Sequence, residues 1–141
     1  MRLLICAGGT GGGVYPALAV LKCLKADSAP LDVLWIGSEG GMEADLIARN
    51  DIAYDTIPAA GVHGVGLGTL PGNLMQLGRG FFAARKILRR FRPDLLFFTG
   101  GYVAVPMALA GMRKPSALYV PDIEPGLALK TLANFANLIA V

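Results

Sequence analysis

The sequence predicts an α/β fold: a doubly wound, mainly parallel sheet of the Rossmann-like kind. Three observations predict it. Continuous apolar runs recur along the chain without polar alternation inside them, segments of helical spacing fall between successive runs, and glycine turns follow several of the runs. Uninterrupted apolar strands are those buried on both faces, and strands separated by helices pair in parallel beneath helical covers. Composition agrees, with 54% hydrophobic residues and 19 glycines in 141 residues. That length suits one domain with a sizeable core, and two cysteines are too few for a disulfide scaffold. Charge-free stretches such as Pro58 to Gly78 are broken by glycine and proline, so no transmembrane helix of ~20 apolar residues is expected. The N-terminal apolar run, Leu3 to Ala7, is shorter than the 7–15 residues of a signal peptide. A reducing, cytoplasmic compartment is therefore expected.

Each element follows from its residues. Leu3 to Ala7 stops at Gly8-Gly9, a strand buried on both faces and then a sharp turn. Helical spacing begins near Pro16, with Leu18, Leu21 and Leu24 on one side and Lys22 and Lys25 on the other. Proline suits a first helical turn, where its missing N–H would be unpaired anyway. This helix should end near Asp27-Ser28, before Pro30. Val33 to Ile36 is a second strand, followed by Gly37-Ser38-Glu39-Gly40-Gly41. Met42 to Asn50 reads as a short helix and Ala53 to Ile57 as a third strand. Residues 58–73 contain five Gly and two Pro and read as an irregular loop. Leu74 to Phe91 is the longest helical pattern. Leu95 to Phe98 (strand), Gly100-Gly101 (turn), Val103 to Met112 (helix), Ala117 to Val120 (strand), Leu127 to Ala136 (helix) and Leu138 to Val141 (strand) complete the chain. Cys6 and Cys23 read as small buried apolar residues.

Ligands of such sheets bind outside the carboxyl ends of the strands. The first loop there is Gly8-Gly9-Thr10-Gly11-Gly12-Gly13, whose glycines let a ligand approach the backbone and aim N–H groups at it, which suits phosphate. It is not a P-loop, because Val14 and Tyr15 stand where Lys-Ser/Thr is needed. It is not a dinucleotide fingerprint either, because the last glycine of G-x-G-x-x-G would fall on Val14 or Pro16. The second strand also lacks the acid that would hold a ribose, ending Ile36-Gly37-Ser38. A nucleotide-dependent oxidoreductase is disfavoured for these reasons. Thr99-Gly100-Gly101-Tyr102 is a second glycine turn on the same edge, and the two together suggest a paired cradle for a diphosphate.

Charge is unevenly placed. Between Thr56 and Pro93 there is no acid, while Arg79, Arg85, Lys86, Arg89, Arg90 and Arg92 lie within that span. Such a segment expects an anionic partner. In the long helix Leu74, Leu77, Phe81, Ala84, Leu88 and Phe91 form the stripe expected to pack on the sheet. Met75 and Phe82 fall on the opposite side, ringed by Arg79, Lys86, Arg89 and Arg90, an arrangement suited to an anionic membrane surface. A solvated basic face is the plainer alternative. A base-reading motif is absent, so nucleic acid is not expected as a partner. His63 is the only histidine, and the cysteines lack ligand spacing, so no metal is expected.

Several segments, in order, resemble the family 28 glycosyltransferases, the N-acetylglucosaminyltransferases that complete the peptidoglycan lipid precursor. Gly8-Gly9-Thr10-Gly11-Gly12 with Val14-Tyr15-Pro16-Ala17-Leu18-Ala19 is similar to the family's GGTGGH-V-x-P-x-L-A opening. Gly37 with Met42-Glu43-Ala44-Asp45-Leu46-Ile47 resembles the second-strand loop and helix. Arg92-Pro93-Asp94, then Gly100-Gly101-Tyr102-Val103 with Pro106, resembles the second glycine loop, and Pro125-Gly126-Leu127-Ala128 the segment after the HEQN motif. The resemblance implies one half of a two-domain GT-B enzyme. Residues 1–141 would be the acceptor-binding domain, inactive alone. Its own carboxy-terminal donor domain, absent from this chain, would hold UDP-N-acetylglucosamine, and this domain would need no cofactor. The implied acceptor is a lipid-diphosphate, placing the enzyme peripherally on the inner face of the cell membrane. Thr10, Gly11, Gly12, Gly13, Gly100, Gly101 and Tyr102 would bind its diphosphate, and His63 would contact the acceptor where the family has a basic residue.

The chain departs from the family in three places. Gly13 stands where the family has a presumed catalytic His. Tyr119-Val120-Pro121-Asp122-Ile123-Glu124 replaces the HEQN region, and Ala104-Val105 replaces Ser-Gly. Inverting transfer needs a base for the acceptor hydroxyl. Asp122 and Glu124 are the candidates, set against helix capping or surface pairing. A related GT-B enzyme with another acceptor, and a non-catalytic docking module that needs a partner donor subunit, stay open.

Overall fold

A computed structural model describes residues 1–8, 11–27, 29–59, 68–120 and 127–141. Strand and helix alternate: β1 (Arg2–Ala7), α1 (Gly11–Ala26), β2 (Asp32–Ser38), α2 (Glu43–Ala48), β3 (Ala53–Ile57), α3 (Leu70–Phe91), β4 (Leu95–Gly100), α4 (Ala104–Ala110), β5 (Ser116–Tyr119), α5 (Leu127–Ala133) and β6 (Leu138–Ala140). The sheet order is β3-β2-β1-β4-β5-β6. Every pairing is parallel. This is the doubly wound arrangement that the uninterrupted apolar strands predict.

The sheet divides the core in two. On one face Leu4, Cys6, Ile36, Leu96, Phe98 and Leu118 meet side chains of α3, α4 and α5, including Ala84, Leu88, Met107 and Leu132. On the other face Leu3, Ile5 and Trp35 meet Val14, Ala17 and Leu21 of α1 and Ile47 of α2. Successive strand residues point to opposite faces, so covers on both sides leave no polar position in β1 from Leu3 to Ala7. Trp35 is wholly buried and gives its indole N–H to the Ala7 carbonyl at 2.9 Å, tying β2 to the exit of β1.

The structure moves some sequence boundaries. Helix α1 begins at Gly11, so Pro16 lies inside the helix rather than in its first turn. Proline there cannot donate to the Gly12 carbonyl four residues back. Helix α3 begins at Leu70 inside the expected loop, with Pro71 in its first turn. Cys6 is buried as expected, whereas Cys23 sits on the outer side of α1 and is exposed. Burial first, and the Glu43 carboxylate second, push the Cys6 thiol well above its usual range, so it stays protonated.

Leu74, expected in the packed stripe of α3, is 54% exposed. Length explains this. A 22-residue helix runs about 33 Å, whereas the strands of up to seven residues run about 23 Å at most. Helix α3 leads into β4, so its overhanging first turns project past the carboxyl edge of the sheet.

Trp35→Phe keeps an aromatic ring but leaves the buried Ala7 carbonyl without this donor. The expected loss is about 2 kcal/mol of stability, read from urea unfolding followed by far-ultraviolet circular dichroism. An unchanged midpoint would show that the Trp35–Ala7 tie contributes nothing.

Candidate acceptor site at the carboxyl edge of the sheet

β1 and β4 are sequence-distant neighbours, and both of their exits carry glycine. The β1–β4 register slips between Cys6 and Ala7, setting Ala7 opposite Gly100. Gly100 and Gly101 take φ of +121° and +87°, the left-handed region that glycine alone enters cheaply. At Gly101 the need is also spatial: a Cβ there would overlap the Gly8 carbonyl oxygen. The second glycine turn therefore lies directly on the end of β1.

A further contact joins the turns. The buried Thr99 hydroxyl donates to the Gly13 carbonyl at 2.7 Å. A Cβ at Gly13 would sit 3.2 Å from the Thr99 carbonyl oxygen and 3.3 Å from its Oγ1. A side chain at 13, where the resembling family has His, would press on this hydrogen bond, and glycine relieves the pressure. Gly11, Gly12 and Gly13 form the first turn of α1, where backbone N–H groups have no partner within the helix. These amides and the positive end of the helix dipole face the same edge as Gly100, Gly101 and the exposed Tyr102. Thr10, His63, Asp122 and Glu124 lie outside the described residues.

Sequence reasoning missed one residue. Glu43 opens α2, yet it is only 5% exposed. Its Oε1 accepts the Ser38 N–H at 3.0 Å and the Ser38 hydroxyl at 3.3 Å. The acid not found at the end of β2 is thus supplied from the next helix. Its signal was the Gly40-Gly41-Met42-Glu43 run, a turn that can fold an acid back over the strand end. The Tyr54 hydroxyl is buried beside Gly37 and has no hydrogen-bond partner among the described residues. Burial and then the Glu43 charge push its pKa up to about 12.

The basic helix divides into parts. Met75 and Phe82 are 69% and 70% exposed, and Arg79, Lys86 and Arg89 are exposed with them. Arg90 is engaged elsewhere, its Nη2 lying 2.6 Å from Asp55 on β3. Arg85 and Arg89, with Arg113 and Lys114 beyond α4, line a pocket of about 210 Å³ that has no acid in its lining among the described residues. Among the described residues no group of three or more His, Cys, Asp or Glu could hold a metal ion. No helix among them is long and apolar enough to cross a membrane.

A doubly wound parallel domain whose glycine turns meet at the carboxyl edge is the architecture of one half of a GT-B glycosyltransferase. MurG from Acinetobacter baumannii superposes with a TM-score of 0.84 at 28% identity, over 98% of this chain and 40% of that one. SsfS6, a glycosyltransferase from Streptomyces sp. SF2575, shares the fold at a TM-score of 0.62 and 18% identity, over 94% of this chain and 42% of that one. The chain belongs to the glycosyltransferase family 28 N-terminal domain, whose model matches residues 3–141. It is 41% identical, over 99% of its length, to the UDP-N-acetylglucosamine--N-acetylmuramyl-(pentapeptide) pyrophosphoryl-undecaprenol N-acetylglucosamine transferase of Roseiflexus sp. (strain RS-1), and spans 37% of that relative.

Thr99→Val, nearly isosteric, removes the donor to Gly13 and should cost about 1–2 kcal/mol, while Thr99→Ser should retain most of it. Thermal unfolding of the pair measures this, and equal losses would discount the hydrogen bond. Alkaline titration gives a second check. Tyr54 holds its proton to about pH 12 when folded, against an ordinary value of 10.0. Between those values the unfolded chain binds fewer protons, so the contribution is complete below pH 10 and lost as pH rises through 12. Tyr54→Phe should flatten the decline of stability across that window.

Proposed function

We propose that this domain is the acceptor-binding half of an inverting N-acetylglucosaminyltransferase of peptidoglycan synthesis. In this reading the acceptor is a lipid-diphosphate-linked muramoyl-peptide, and the donor is UDP-N-acetylglucosamine, held mainly by a carboxy-terminal domain beyond residue 141. The observation that carries it is the contact of the two glycine turns, Gly101 on Gly8 and Thr99 on Gly13, which makes one cradle of two loops. Its chemistry suits a diphosphate: amides at a helix start and glycines that admit close approach. The relative's printed name supplies the sugar, the muramoyl-peptide and the lipid.

Two further parts complete the proposal. Asp122 or Glu124 takes the proton from the acceptor hydroxyl, because Gly13 has no side chain to do so. Met75 and Phe82, with Arg79, Lys86, Arg89 and the Arg85–Lys114 pocket, rest on the inner face of the cell membrane. Leu74, exposed in the overhanging first turns of α3, adds apolar surface next to Met75.

The test is sugar transfer by the complete protein, supplied with UDP-N-acetylglucosamine and lipid-linked muramoyl-pentapeptide. Transfer is expected, and Asp122→Asn or Glu124→Gln should lower kcat about 10²-fold or more for whichever is the base. Transfer only to another acceptor would favour a related GT-B enzyme; no transfer at all would favour a docking module. Sedimentation with anionic vesicles tests the surface. Phe82→Ser combined with Arg89→Glu should abolish most binding, and unchanged binding would overturn the membrane face.

A further inference from the structure

The buried carboxylate of Glu43 has no part in the proposal above, yet it touches three strand exits and turns at once. A Cβ on Gly8 would overlap its Oε1 and lie 3.1 Å from its Cδ. A Cβ on Gly37 would lie 2.6 Å from Oε1, and one on Gly41 would overlap both carboxylate oxygens. Glycine at all three positions admits the carboxylate into the space between β1, β2 and the β2–α2 turn. There its Oε1 accepts both Ser38 donors, and that same oxygen is the carboxylate atom set against Gly8. Gly8 in turn carries Gly101 of the second turn. A chain of contacts thus runs Ser38–Glu43–Gly8–Gly101, from the exit of β2 across the exit of β1 to the second glycine turn.

We propose that Glu43 is a positioning residue that fixes Gly8, and with it the exit of β1 beneath Gly101, in its ligand-receiving position. It needs acceptor oxygens of the right reach, because Ser38 is what it holds. It does not touch the acceptor or the reacting atoms. The kinetic part of the test rests on the acceptor reading; the exchange part does not.

The molecule contains its own reporter. The Trp35 indole N–H is bonded to the carbonyl of Ala7, the residue before Gly8. In the complete protein, Glu43→Ala should speed hydrogen exchange of the Gly8 and Gly11 to Gly13 amides at least tenfold and shift the Trp35 indole resonance, with β5 amides unaffected. Glu43→Gln, which keeps an oxygen for Ser38, should recover most of the protection. Leu132→Ala, which opens a cavity under α5, serves as the stability control and should leave the Trp35 signal in place. Gly8→Ala should disturb the loop by colliding with Oε1, and adding Glu43→Ala to it should disturb the loop no further. With the lipid-linked acceptor, Glu43→Ala should raise the acceptor KM about tenfold and leave the donor KM unchanged. Unaltered exchange and Trp35 resonance in Glu43→Ala would overturn the proposal. Equal changes in Leu132→Ala, or a Glu43→Gln as disturbed as Glu43→Ala, would overturn it as well. Failure of the wild type to use the muramoyl acceptor would sink the functional reading alone, because the exchange results decide the role of Glu43 without it.

Discussion

One hydrogen bond, from the Thr99 hydroxyl to the Gly13 carbonyl, spans 86 residues of sequence and closes the functional edge of this domain. It exists because β4 lies beside β1, the point where the strand order turns back on itself. At such a switch point the helices that follow the two strands leave on opposite faces and open a crevice between them. α1 departs on the Trp35 face and α4 on the Phe98 face, so the starts of both helices border that crevice. The slip in register after Cys6 lets Gly101 descend onto Gly8. The contact of the two glycine turns and the tolerance for a bare Gly13 both depend on this junction.

The same economy governs α3. Its buried face supplies Ala84, Ile87 and Leu88 to the core, and its outer face carries Met75, Phe82 and the exposed Arg79, Lys86 and Arg89. The helix is longer than the strands it covers, so its first turns project past them and Leu74 is exposed. Part of the apolar surplus thus collects on the outer and overhanging surfaces of α3. Arg90 shows the opposite outcome for a residue of identical chemistry. Its direction on the helix brings it to Asp55, and that ion pair fastens α3 to the outermost strand.

Glu43 illustrates how a buried charge is accommodated. Removing a carboxylate from water is costly unless hydrogen bonds replace the lost hydration. Ser38 supplies two, one from its amide and one from its hydroxyl. The remaining cost is visible in the neighbours. The Tyr54 hydroxyl is pushed to a pKa of about 12 and the Cys6 thiol is held protonated, each by burial first and by the Glu43 charge second. A buried acid beneath a phosphate-suited loop also opposes a bound anion, so its retention in the fold is better explained by the shape it imposes than by its charge.

Local chemistry made much of this legible. Continuous apolar runs such as Leu3 to Ala7 define doubly covered strands, since the pattern depends only on which faces meet water. The glycine turns after Ala7 and Thr99 were visible because φ near +90° and close backbone approach both select glycine. The outward Met75 and Phe82 followed from helical spacing alone. Pairing between distant segments was not legible, because spacing along a chain carries no distance across it. The descent of Gly101 onto Gly8, the Thr99–Gly13 bond, the capture of Arg90 by Asp55 and the burial of Glu43 all required the strand order. Cys23 and Leu74 were misplaced for a related reason: helical periodicity says which residues share a face, whereas neighbouring elements decide how much of that face is covered. The sequence by itself determined the elements, their burial pattern and the residues fit to receive an anion. Only the tertiary structure decided which of those residues meet, because the meeting is set by the parallel register and by the length mismatch between helix and sheet.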